Sequence, residues 1–340
     1  MRILITGHTG FKGSWLTILL KELGHDVSGF ALAPEPESLF NYAGVSKMLS
    51  RDLYADIRDK SKLSGFIAEV SPNIVFHLAA QPLVRHSYLE PTETFSVNVD
   101  GTLNLLDSCE ASETIEVVVV ITTDKVYRNE EKQKAFVESD PLGGIDPYST
   151  SKAMADLLTQ SWSRSVSEKK IMIARAGNVI GGGDFSRDRL IPDLYRSLIA
   201  KSPAQIRNPL AVRPWQHVLD CLNGYIHLMT KALGGLPSDS WNFGPDNSQY
   251  QKVEDLTSMF LKHFGYEAGI EKQDAGPYEA EFLTLDSCKA RTFLGWENTL
   301  SLEESITLTA SWYKSLMSGV NMYEYTARQA SEFLTDKKLR

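Results

Sequence analysis

Cysteine is scarce in this chain: there are three, Cys109, Cys221 and Cys288, far apart and in no C-x-x-C arrangement. That leaves neither a disulfide framework nor a zinc cluster to organise the fold, and it fits a reducing compartment such as the cytoplasm. The seven histidines show no H-x-x-x-H spacing, so no metal site is expected. Long apolar runs are missing too. The longest strongly apolar run, Val117 to Ile121, is far too short to cross a bilayer, and Lys12 with its neighbouring glycines breaks the stretch that a secretory h-region needs. A soluble, cytoplasmic protein with no membrane association is the expectation. Basic excess is also absent. The formal net charge is −8, without the basic footprint of a nucleic-acid binder. A few arginines and a helix N-terminus can still hold a phosphate-bearing ligand on such a surface.

What is present is an alternation of short β-branched runs and amphipathic helical stretches. Strands are predicted at Arg2 to Thr6, Val27 to Leu32, Ile74 to Leu78, Val117 to Thr122 and Ile171 to Ala174. Helices are predicted at Ser14 to Leu23, ended by Gly24, at Lys60 to Val70, at Thr92 to Cys109 and at Ser149 to Ser163. Asp146 is placed to cap the last of these, with Pro147 in its first turn. Repeated β-α-β units imply an α/β fold, a doubly wound parallel sheet of Rossmann type that takes ligands outside the carboxyl ends of its strands. Past Arg175 prolines and glycines punctuate shorter elements. The expected division is a dinucleotide domain over 1–177 plus roughly 214–244, and a smaller, discontinuous substrate lobe over roughly 178–213 and 245–340.

Gly7, Gly10 and Gly13 lie between the first strand and first helix in the order G-x-x-G-x-x-G, with Phe11 and Lys12 inside the loop. Glycine lets the backbone approach a pyrophosphate, and the helix N-terminus adds free N–H groups and a positive dipole end. The second strand carries no acid at its tip for an adenosine 2′-OH and no arginine for a 2′-phosphate, so NAD is favoured only mildly over NADP. Asp56 and Ile57, after another strand end, are candidates for the adenine. Tyr148 and Lys152 are four residues apart and share a helix face. A lysine charge close to the phenol favours phenolate, which suits a general base. Thr123, Asp124 and Lys125 follow a strand and point toward the same cleft.

On these residues, with Ala79 and Ala80 after the central strand and Asn98 in the long helix, the chain resembles the extended short-chain dehydrogenase/reductases over nearly its whole length. The resemblance implies that Tyr148 deprotonates a sugar hydroxyl as hydride passes to NAD, that Lys152 holds the nicotinamide ribose and that Thr123 contacts the same sugar oxygen. Longer stretches, Thr6 to Leu16, Ala79 to Arg85, Arg175 to Asp184 and Arg213 to Val218, are similar to the CDP-glucose 4,6-dehydratases of that family. This implies CDP-glucose as substrate, with Asp124 as proton donor in the elimination. Lys125 is either the base at C5 or an electrostatic stabiliser of the enolate. Gln81 and Arg85 are assigned to the hexose; Asn178, Arg187, Arg189 and Arg213 to the diphosphate, for which arginine offers a planar fork. Family members pair through two long helices, so a homodimer or a dimer of dimers is expected. A 4-epimerase on the same scaffold, and a non-catalytic NAD(P)-binding sensor, are the competing readings.

Overall fold

The computed structural model describes residues 1–130, 134–246, 250–266, 269–272 and 282–336. Its centre is a seven-stranded parallel sheet. Six strands are β1 (Arg2–Thr6), β2 (Asp26–Ala31), β3 (Arg51–Tyr54), β4 (Ile74–His77), β5 (Val117–Ile121) and β6 (Lys170–Ala176), and Ser240–Phe243 supplies the seventh. The spatial order runs Ser240–Phe243, β6, β5, β4, β1, β2, β3. Winding therefore reverses at β1, which pairs with β2 on one side and β4 on the other. A ligand crevice opens where the two windings diverge.

Period-two alternation in the strands explains why the sheet is covered on both faces. Ile3, Ile5, Phe76, Val117 and Val119 join one core with Trp15, Leu16 and Leu19 of helix α1 (Phe11–Glu22). Their neighbours Leu4, Val75, Val118 and Val120 face the other core, with Leu63, Phe66, Leu105 and Leu106. Gly24, at φ +78°, follows the end of α1, and the Asp146 carboxylate accepts from Ser149 N at 2.9 Å to cap the helix Pro147–Ser165. Both signals stand in the sequence.

The long helix expected over Thr92 to Cys109 is instead three pieces: Pro91–Phe95, a π-helical turn Ser96–Asp100, and Gly101–Glu110. The widened turn carries Asn98, whose side chain makes three hydrogen bonds outside the helix. The strand whose end precedes Asp56 is Arg51–Tyr54, a largely exposed edge with little apolar content, whereas the four-residue Ser240–Phe243 escaped the periodicity.

The segments that follow β6 outside the main sheet are short. Ala204–Ile206 pairs with Ile270–Lys272, and Val212–Pro214 with Tyr250–Lys252. The helix Leu190–Ala200 borders them, while the last helix, Met322–Asp336, returns to pack on α1. Cys109 and Cys221 are buried and Cys288 is exposed, all as free thiols. Among the described residues no helix is long and apolar enough to cross a membrane, and no cluster of metal-type ligands occurs.

Candidate active site

A cleft of about 560 Å³ runs from the glycine loop, past the carboxyl ends of β4 and β5, into the small strands of the lobe. Its floor depends on backbone contact that no side chain tolerates. Gly7 sits at φ +79°, and a Cβ there would meet Ala79 N at 2.6 Å; a Cβ on Gly13 would meet Gly7 O at 2.2 Å. No side chain caps α1, so its first N–H groups face the cleft that Gly10, Phe11 and Lys12 line. Gly13→Ala is expected to cost about 1–3 kcal/mol of strain at the loop. Weakening of NAD binding by roughly ten- to hundred-fold follows, measurable by isothermal titration.

Thr123, Asp124, Lys125, Tyr148 and Lys152 all line this cleft. Asp124–Val126 is a single 3-10 turn capped by Thr123, whose hydroxyl also donates to Asp124 Oδ1 at 2.9 Å. Burial pushes the Asp124 carboxyl above its ordinary range, against the opposing pull of Lys125, Thr123, Arg213 and Lys12. Its second oxygen, Oδ2, is buried and has no hydrogen-bond partner. Burial thus favours the protonated acid, and one oxygen is left for a ligand.

The Tyr148 phenol is pushed up to about 12 by burial, and what opposes the rise is the Arg189 charge and a hydrogen bond with Thr123. Lys152 stands one turn further along the same helix face. Its ammonium donates to Ile121 O at 3.0 Å. Burial, then the Lys12 charge, lower Lys152 from 10.5 to about 8. Because the folded value lies below the ordinary one, the folded state favours neutral lysine. Stability from this group therefore rises with pH across the window from about 8 to 10.5. Denaturation of the cofactor-free protein and of Lys152→Met across that window is expected to show the variant's advantage shrinking as pH rises.

Toward the lobe, Arg85, Asn178, Arg189 and Arg213 line the cleft. Arg189 lies 3.8 Å from Asp184, and Arg85 lies 3.6 Å from Asp188. Asp188 adopts φ +59° and also approaches Arg207, so one strained carboxylate stands between two cations from opposite walls. Gln205, Arg207 and Asn208 close the far end. Sequence reasoning missed them, because a three-residue strand leaves no period to read.

A model of the NAD dependent epimerase/dehydratase family matches residues 3–244. The chain belongs to that family. It is 41% identical to the CDP-glucose 4,6-dehydratase of Salmonella typhimurium, over 98% of this chain and 96% of that one. Among solved structures, dTDP-glucose 4,6-dehydratase from Bacillus anthracis in complex with NAD superposes with a TM-score of 0.82 at 22% identity, covering 96% of this chain and 99% of that chain. UDP-glucuronic acid 4-epimerase from Bacillus cereus, in complex with UDP-glucuronic acid and NAD, gives a TM-score of 0.82 at 25% identity, covering 93% and 100%.

As a member of this NAD dependent family the chain carries a groove that fits the cofactor. The Gly7–Gly13 contact leaves backbone where a diphosphate must approach, and Ala79, Ala80, Asp56 and Ile57 line the same groove. Arg58 holds the Asp56 carboxylate below its usual range through Nη2–Oδ2 and Nε–Oδ1 contacts of 2.6 and 3.0 Å.

Three residues assigned from the sequence are placed elsewhere. Asn98 is buried behind the cleft wall: its Oδ1 accepts from Gln81 N at 2.8 Å, and its Nδ2 donates to Gln81 O and Ser151 Oγ. It clamps the chain after β4 instead of lining the cofactor groove. Gln81 spends its side chain on Thr94 and Leu83, away from a hexose. Arg187 is exposed and outside the cleft, because the loop turns its neighbours Ser186, Asp188 and Arg189 inward. Trp296 is fully buried with its indole N–H on Asp220 O, and Trp215, which also lines the cleft, donates to Gln251 O.

Proposed function

We propose that the protein converts CDP-glucose to CDP-4-keto-6-deoxyglucose. The observation that carries this reading is Asp124 Oδ2, a buried carboxyl oxygen without a partner beside Thr123 and Tyr148. An epimerase has no leaving group to protonate, whereas loss of the C6 hydroxyl as water needs such an acid. The 41% identity to a CDP-glucose 4,6-dehydratase supports the same reading.

NAD would be held by the Gly7–Gly13 loop with Asp56, Ile57, Ala79 and Ala80, and would supply the hydride acceptor for C4 and the hydride donor for C6. Tyr148 takes the O4 proton, with Thr123 donating to the same oxygen. The 4-ketone acidifies C5–H; Lys125 receives that proton or stabilises the enolate, and Asp124 delivers its proton to the departing C6 hydroxyl. The lobe over roughly 178–213 and 245–340 holds the nucleotide, with Asn178, Arg189 and Arg213 on the diphosphate. Incubation with CDP-, UDP-, GDP- and dTDP-glucose in parallel, followed by mass spectrometry, is the direct test. Loss of one water from CDP-glucose alone is expected; loss from another nucleotide sugar discards the CDP assignment and keeps the mechanism.

The enzyme is further proposed to act in the cytoplasm as a homodimer, or a dimer of such dimers. Leu103, Met154 and Leu157 are 39%, 44% and 52% exposed on the helices Gly101–Glu110 and Pro147–Ser165. Pairing these helices across a two-fold axis buries that apolar stripe. Leu157→Glu places a charge in the stripe, and analytical ultracentrifugation is expected to give a monomeric mass for it and at least a dimer for the parent.

A further inference from the structure

The acid-base turn and the Tyr148 helix are different elements packed against each other, and beside them lies a buried ion pair that no catalytic step uses. Arg175, on β6, and Asp156, on the helix Pro147–Ser165, are 1% and 0% exposed. The contact is bidentate: Arg175 Nε to Asp156 Oδ2 and Nη2 to Oδ1, both 2.8 Å. Two further bonds connect this pair to the chain on either side of Asp124 and Lys125. Upstream, the Thr122 hydroxyl donates to Asp156 Oδ2 at 2.9 Å. Downstream, Arg175 Nη1 donates to the Tyr127 phenol at 2.8 Å, and that phenol donates to Asn242 Oδ1 at 2.7 Å. Asp156 stands one helical turn beyond Lys152, whose ammonium bonds Ile121 O, the residue before Thr122.

A six-residue segment held at both ends by one buried pair has little freedom to shift against the helix that supplies the partner carboxylate. We infer that Arg175 and Asp156, acting through Thr122 and Tyr127, are positioning residues that hold the Asp124–Lys125 turn in register with Tyr148 and Lys152 for the elimination step. This rests on the dehydratase reading above. Proton removal and ribose binding in the C4 oxidation fall to Tyr148 and Lys152, both on the helix itself, and the segment adds only the Thr123 hydroxyl. Elimination needs groups from the turn and the helix to meet one hexose together, so it is the step most exposed to a small displacement. When elimination lags, the C4 hydride has moved to NAD and the O4 proton to Tyr148, while the C5–H and C6–O bonds remain intact. CDP-4-ketoglucose, still bearing its C6 hydroxyl, then leaves as an abortive product, NADH remains behind, and exchange for NAD supplied in excess is needed for each further abortive cycle.

Tyr127→Phe removes one hydroxyl from the downstream tie, and Thr122→Val one from the upstream tie; both keep the side-chain shape and the ion pair. The products of each variant are analysed by mass spectrometry for CDP-4-ketoglucose against CDP-4-keto-6-deoxyglucose, with KM and thermal melting measured alongside. The expected result is a rise of about tenfold or more in that ratio, at unchanged KM. Arg175→Lys, which keeps the charge and loses the fork, shifts the ratio in the same direction. Gln160→Ala removes a bond to Asp156 Oδ1 that leads away from the turn and leaves the ratio at the parent value. A fall in turnover with an unchanged product ratio in Tyr127→Phe and Thr122→Val, or no change at all, overturns the inference. A parent enzyme that removes no water defeats the dehydratase reading instead.

Discussion

Tyr148→Phe lowers turnover on CDP-glucose by about 10²–10⁴-fold, the range for losing a positioned general base, and leaves substrate affinity nearly unchanged. The phenol is buried at the start of the helix Pro147–Ser165, where only its oxygen is lost in the variant. Without that oxygen the O4 proton has no acceptor, since the Thr123 hydroxyl beside it acts as a donor. Reduction of bound NAD, followed by absorbance in a stopped-flow instrument, is therefore expected to vanish along with water loss. Turnover that survives largely intact assigns the proton transfer to another group. The phenol's high starting point has a consequence for pH. Burial holds it near 12 in the cofactor-free cleft, so the opposing contributions from Arg189 and Thr123 become part of its activation. Arg189→Ala is expected to move the profile of kcat/KM toward higher pH, beyond any loss of diphosphate binding.

Asp124→Asn stops the reaction after its first half. Asparagine keeps the shape and an acceptor for Thr123 but has no proton of useful acidity for the C6 hydroxyl. Water loss falls by about 10²–10³-fold or more, whereas C4 oxidation continues, so the expected signature is a burst of cofactor reduction with CDP-4-ketoglucose as the released product. The parent's own pH dependence follows from burial. A carboxyl raised above its ordinary range remains protonated to higher pH than a surface aspartate, and general-acid catalysis is lost as pH rises through its folded value. Equal loss of both half-reactions in Asp124→Asn contradicts this division of labour.

The cofactor side of the site was legible in the sequence because its geometry is local. Glycine spacing between a strand and a helix, and a tyrosine and lysine one turn apart, hold wherever the backbone takes its regular form. Side-chain direction was not legible. Asn98 and Gln81 stand where cofactor and hexose contacts were expected, yet a π turn and a cluster of backbone bonds turn both inward. Arg175 is marked in the sequence only as the first residue of a longer stretch. Its bond to Asp156 spans nineteen positions and two elements, and nothing in either local pattern announces it. The lobe fared worst, because strands of two or three residues carry no readable period, and Gln205, Arg207 and Asn208 emerged only once the chain was folded.

The central claim is that one site oxidises C4, expels water across C5 and C6, and returns the same hydride to C6. CDP-glucose carrying deuterium at C4 and carbon-13 throughout the hexose, mixed with unlabelled substrate, tests all three steps at once. The account predicts a 4-keto-6-deoxy product whose deuterium lies in the C6 methyl group of the same molecule that brought it. Deuterium remaining at C4 with no loss of water would contradict the account and leave an epimerase in its place.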